Sequence, residues 1–124
     1  MRTAALLAKG ATGDATAIPA HAALAMATIN GARAIGLDSR IGSIKVGKHA
    51  DLTAVELSSL SVVPCYDPVS HLVYAAGREH VTHVWVDGQL RLENGELTRM
   101  DVRDLGHKAI HWAGKIKASG SQRG

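Results

Sequence analysis

The stretch IGSIKVGKHADLTAVEL, residues 41–57, is where the hydrophobic pattern changes from helical to strand-like. Residues 41–46 and 51–57 are expected as strands. Gly47 supplies the backbone freedom for a tight turn between them. Asp51 is expected to cap that turn with its carboxylate, just ahead of the strand that Leu52 begins. Neither strand carries a catalytic group in an obvious pose.

Upstream, the pattern is helical. Residues 1–10 read as the end of a helix stopped at Gly10, and the loop ATGDATAI follows. Pro19 opens the next helix, because its fixed φ suits a first turn. Ala20, Ala23, Leu24 and Ala27 form a stripe of mostly small residues at helical spacing. Asn30-Gly31 interrupts it. Asn30 is placed to cap a short helix over 31–35, with Gly36 as its stop.

Downstream, a Ser-rich link leads into DPVSHLVYAAG, the clearest helix signal in the chain. Asp67 is its N-cap, Pro68 its first residue and Gly77 its stop, with Val69, Leu72, Val73 and Ala76 as the buried stripe. VTHVWVDGQLRLENGEL reads as a hairpin, with turn signals at Asp87-Gly88 and Asn94-Gly95. Val84 and Val86 point one way and Trp85 the other. Asp101 starts a last helix, with Val102, Leu105, Ala109, Trp112 and Ile116 on one face, and 118–124 reads as a disordered tail. About four strands split by a helix leave open sheet edges, which points to a partner or a missing half.

Composition agrees. A chain of 124 residues suffices for one domain with a modest core. Phe is absent, aromatics make up 3%, and the apolar content leans on Ala, so the core is thin. The formal charge is +3, from 14 Lys and Arg against 11 Asp and Glu, without like-charge runs; this argues against nucleic acid as a partner. Cys65 is the only cysteine, which excludes an internal disulfide and Cys-rich metal sites. The apolar run in MRTAALLAKG is too short for a signal peptide, and no stretch is long enough to span a membrane, so a cytoplasmic location is expected.

Seven histidines invite a metal reading: His21, His49, His71, His80, His83, His107 and His111. No His-x-His or His-Glu-x-x-His pattern occurs. His107 and His111 share a helix face, but no third ligand is placed with them, and a solvated face is the plainer reading. His80 and His83 are three apart at the start of a strand and diverge. Ser70 and His71 suggest a nucleophile and base, yet adjacent helical residues point apart. His21 reads as a surface residue in a first helical turn. Cys65 precedes a helix N-terminus, which lowers thiol pKa values, but no His partner accompanies it. AKGATGDAT lacks the Gly-Lys-Ser/Thr ending of a phosphate loop. These residues alone do not build a self-sufficient active site.

The signature does carry a resemblance. IGSIKVGKHADLTAVEL resembles the Gly-x-Ile/Leu…Gly-Lys-x-Ala-Asp-Leu pattern near the end of amidohydrolase-superfamily proteins. PAHAALAMATINGARAIGL resembles the segment before it. DPVSHLVYAAGREHVTHVWVDGQL resembles the segment after it, nearest to 5-methylthioadenosine/S-adenosylhomocysteine deaminases and their triazine-hydrolase and chlorohydrolase relatives. The likeness runs from Met1 to about Ile116.

The resemblance implies an α/β partial fold: terminal helices of a metal-dependent (β/α)8 barrel plus the C-terminal strands of a composite β-sandwich. Residues 1–40 would be the last barrel helices. Residues 41–99 would be sandwich strands with an inserted helix at 67–77, and 100–117 the C-terminal helix. A barrel needs about 250 residues, twice this chain. The family's metal ligands are a His-x-His pair, two further histidines and an aspartate, and none maps onto this chain. No catalytic, cofactor-binding or metal-binding residue is therefore assigned here. A divalent metal, most simply zinc, is expected in the intact enzyme, where it makes hydroxide for attack on the adenine ring. None is expected on this chain alone.

The expected function is the C-terminal portion of an aminohydrolase for an adenosine-type thioether. The expected partners are the missing N-terminal barrel portion or a second copy, with a homo-oligomer as the assembly. A small-molecule substrate is expected only in the intact enzyme, and neither nucleic acid nor membrane. The alternative is a non-catalytic assembly module that pairs through its strand edges, or gains a strand in trans. A third reading is a small metal-binding module built on His107 and His111. On these readings, the opening stretch is scaffold in which Gly47 and Asp51 shape a turn while Leu52 and Val55 fill a core.

Overall fold

The computed structural model describes residues 1–120. Three helices come first: α1 (Arg2–Thr12), α2 (Ala20–Ala27) and α3 (Ile29–Ala34). Then follow β1 (Leu52–Val55), α4 (Pro68–Tyr74), a 3-10 turn (Arg78–His80), β2 (Val81–Val86), β3 (Gln89–Glu93), β4 (Glu96–Leu97) and α5 (Val102–Gly120).

α1 runs through Gly10, since one interior glycine costs a helix only about 1 kcal/mol. It stops at Gly13, whose φ of 68° is left-handed. The Lys9 ammonium donates to the Ala15 and Ala17 carbonyls at 2.7 Å each and folds the next loop back onto the helix. Pro19 sits at the cap of α2 rather than inside it. α3 starts at Ile29, before the expected residue 31, and Asn30 is within it, accepting from the Arg33 guanidinium at 3.0 Å. The core joins α1, α2 and α4 through Ala5, Ala23 and Val73, with Ile18, Ala20 and Tyr74 against them. Val73 is the one large side chain fully buried among the described residues, so the core is as thin as the Ala-rich composition implies.

The four strands form one antiparallel sheet in the order β1-β2-β3-β4. Leu52 faces Trp85 and Thr53 faces Val84 across β1 and β2. Both two-residue turns are as expected. Asp87 and Gly88 have φ of 51° and 73°, and Asn94 and Gly95 have 50° and 82°, the positive pair that a right-twisted hairpin requires. The strand expected over 51–57 is shorter, 52–55.

The strand expected over 41–46 does not form. Lys48 is the cause: its ammonium donates to the Asp38 carbonyl, to the Ile41 carbonyl at 3.0 Å and to the Ser43 hydroxyl at 2.7 Å. These bonds gather residues 38–43 round one cation and hold the stretch as a loop. Ile44 and Val46 are left in solvent, 88% and 107% exposed. Gly42 keeps this loop against α3: with φ of 82°, an added Cβ would lie 2.7 Å from the Ala32 Cβ.

α4 ends at Tyr74, short of the expected stop at Gly77. The N–H groups of Ala75 and Ala76 both turn back to the His71 carbonyl, at 2.9 and 2.7 Å. Gly77 opens the 3-10 turn instead. α5 extends to Gly120, into the stretch expected as tail; residues 121–124 of that stretch lie outside the described residues. Every residue from 102 to 119 is exposed, including Val102, Leu105, Trp112 and Ile116 of the expected apolar face.

The accessible surface is 9265 Å2. A self-contained monomer of this mass exposes about 6,300 Å2. The excess comes from faces with nothing packed on them. The described residues form helices beside a single antiparallel sheet. They contain neither a parallel barrel sheet nor a second sheet to make a sandwich.

Candidate functional site

The GKHADL signature acts as a joint. Gly47 holds the turn at φ 89°. Lys48 gathers the preceding loop as described. His49 places its Nδ1 against the Asp87 carboxylate, and its Nε2 accepts from the Arg40 Nε–H at 3.2 Å. Asp51 accepts the Asp87 backbone N–H at 2.6 Å, and the Ala50 carbonyl accepts that of Gly88 at 3.0 Å. Asp51 thus caps a turn as expected, but the turn is the distant one between β2 and β3. The Arg40–His49–Asp87 chain escaped sequence reasoning. Its one visible signal was Asp87-Gly88, a turn whose first residue carries a spare carboxylate.

The remaining candidates are dispersed. Ser70 and His71 do not meet. The Ser70 hydroxyl donates to the Asp67 carboxylate, and the His71 Nδ1–H donates to the Asp67 carbonyl at 3.1 Å. Asp67 also accepts the N–H groups of Ser70 at 3.1 Å and Val69 at 3.3 Å. The Ser70 hydroxyl, then its N–H, hold the Asp67 carboxyl below its ordinary value. This is a helix cap and not a nucleophile site.

His80 is the buried histidine, 7% exposed. Its Nδ1 accepts from the Gly77 N–H at 3.0 Å, so its Nε2–H donates to the Ser61 hydroxyl at 2.9 Å. One ring nitrogen closes the 3-10 turn on itself and the other fastens the Ser-rich link to it. His83 stacks on Trp85 with centroids 5.5 Å apart. His21 is exposed, and Cys65 is half-buried. His107 and His111 are exposed on α5, where the His111 ring meets Trp112 edge-on and Lys115 lies 4.8 Å over that indole.

Among the described residues, no three His, Cys, Asp or Glu side chains are grouped to hold a metal ion. A groove of about 420 Å3 separates the start of α1 from α4 and the sheet. Val55, Leu72, Ala76 and Val81 line it, with Arg2 and Arg78 as its charged side chains. No carboxylate or imidazole side chain lines it. No helix among the described residues is long and apolar enough to cross a membrane.

A family profile described as "Amidohydrolase family" matches residues 1–91. A 5-methylthioadenosine/S-adenosylhomocysteine deaminase from Teredinibacter turnerae is 42% identical over 118 residues, which are 95% of this chain and 27% of the deaminase. The crystal structure of a zinc-bound adenosine deaminase from Xanthomonas campestris superposes with a TM-score of 0.91 at 49% identity, over 94% of this chain and 27% of that one. Atrazine chlorohydrolase from Arthrobacter aurescens, complexed with zinc, gives 0.80 at 25% identity over 89% and 24%. The chain thus spans about a quarter of the length of the proteins it matches.

Proposed function

Because the chain belongs to the amidohydrolase family, we propose that it is the C-terminal, structural portion of a metal-dependent aminohydrolase. The observation that carries this reading is the close superposition on a zinc-bound adenosine deaminase over 94% of this chain but only 27% of that enzyme. The intact protein would hydrolytically deaminate an adenosine-type substrate such as 5-methylthioadenosine or S-adenosylhomocysteine, in the cytoplasm. The deaminase relatives and the zinc in the structural neighbours support that assignment. Among the described residues, no three His, Cys, Asp or Glu side chains group to hold a metal, and Asp51, Asp67 and His80 are engaged in a turn, a helix cap and a link between segments.

In the intact protein, α1 to α3 would be the last barrel helices. The sheet would be one share of a composite sandwich, completed by strands from the upstream part. The open edge of β1, the solvated Ile44 and Val46, and the surface excess support incompleteness of this kind. The exposed apolar face of α5 supports contact with the upstream part or a second copy in a homo-oligomer. It also favours the alternative reading, an assembly module without chemistry of its own.

A chimera distinguishes the two. The upstream portion of the Teredinibacter deaminase, joined ahead of Met1, should bind zinc and release ammonia from 5-methylthioadenosine, while this chain alone should not. A folded, zinc-loaded chimera that releases none from any purine or triazine would leave the assembly reading standing.

A further inference from the structure

The Arg40–His49–Asp87 chain is built for a neutral imidazole. Arg40 is a permanent cation and can only donate, so the Nε2 that it approaches at 3.2 Å must carry a lone pair. The proton of the neutral ring is then on Nδ1, where it is donated to the Asp87 carboxylate. A second proton has one place to go, Nε2. Adding it replaces an acceptor with a donor and sets two cations face to face, while the pairing with Asp87 becomes ionic.

We infer that His49 is an acid-operated switch: its protonation expels the Arg40 side chain and leaves the His49–Asp87 joint closed. The other charged groups at this joint fit that outcome. Asp51 is engaged with the Asp87 N–H, and Lys48 is occupied with the loop carbonyls. Leu37, Ile41 and Val86 complete the small cleft that these groups line, and they bring no further side-chain charge to it. His49 keeps a third of its side-chain surface in solvent, so a proton can reach it without unfolding. Arg40 would swing outward, freeing one side of the loop between α3 and β1. Histidine is the residue whose charge changes across the mildly acidic range.

The test is nitrogen-15 NMR of the 124-residue chain, following the His49 ring nitrogens and the Arg40 Nε–H between pH 7.5 and 5. At pH 7.5 the inference requires the Nδ1–H tautomer and an Arg40 Nε–H protected from exchange relative to free arginine at the same pH. As His49 takes its second proton, that protection should fall to the free-arginine level while the Asp87 and Gly88 amides stay protected. In His49→Gln, Arg40 should show no such pH-dependent loss. An Nε2–H tautomer at pH 7.5, or Arg40 protection unaltered through the His49 titration, would overturn it. Both readings come from the wild-type chain and stand even if His49→Gln fails to fold.

Discussion

The carboxylate of Asp51 accepts the backbone N–H of Asp87 across 2.6 Å, joining residues 36 positions apart in sequence. Asp51 directly precedes β1, and Asp87 is the first turn residue between β2 and β3. One side chain therefore sets the start of the edge strand against the far end of its neighbour. Asp51→Ala should lower stability by about 1 kcal/mol, below the range for bonds to buried charges because Asp51 is exposed. Asp51→Asn keeps an acceptor oxygen and should lose less. Urea unfolding midpoints of the three proteins check this, and equal midpoints for wild type and Asp51→Ala would contradict it.

Gly42 makes a sharper demand. A methyl group there meets the Ala32 Cβ at 2.7 Å and the Ile29 Cα at 3.0 Å, on a backbone at φ 82°. Gly42→Ala should cost about 2–4 kcal/mol, combining left-handed strain with overpacking against α3. Gly47 has the same kind of φ but open space around its Cα, so Gly47→Ala should cost about 1 kcal/mol. Thermal melts of both variants test this order.

The core has little to spare. Val73 is 1% exposed between α1, α2 and α4, and its closest buried companions are alanines. Val73→Ala removes two methyl groups and should cost about 2 kcal/mol, cavity included. In a module with so thin a core this should appear as a large loss of folded population by circular dichroism.

Two carboxylates couple stability to acid. Asp67 is held low by the Ser70 hydroxyl and N–H, and Asp14 by the Thr16 hydroxyl and N–H. A lowered folded-state value means that the unfolded chain binds the proton more readily. Their contribution is thus complete above the ordinary carboxyl value near 3.8 and is lost as pH falls below it through the folded values. Unfolding free energy measured from pH 6 to pH 2.5 should decline over the lower part of that range. Asp67→Asn should show a shallower decline, and an unchanged slope would show that the cap is not coupled to folding.

The local chemistry was legible where one residue decides its own surroundings. Asp67-Pro68 capped a helix, and Asp87-Gly88 and Asn94-Gly95 turned hairpins, because positive φ and N-terminal caps are set by the residues themselves. What escaped were the outcomes decided at a distance. Residues 41–46 have the alternation of a strand, but Lys48 holds the Ile41 carbonyl and the Ser43 hydroxyl in a loop. Asp51 was legible as a cap and not as a cap on residue 87. The buried His80 could not be told from its exposed counterparts, since its partners Ser61 and Gly77 lie on separate segments. The histidines were legible in the sequence only by their spacing. The structure accounts for several of them individually, as a joint, a strut and a stacking partner.

The central claim is that this chain is the scaffold end of a larger amidohydrolase. The most direct measurement is the size of the native product in source cells, by immunoblot with an antibody raised against this chain. The account predicts a band several times heavier than the 13.0 kDa of the chain itself. A single band at 13 kDa would contradict it and make the assembly module the working description.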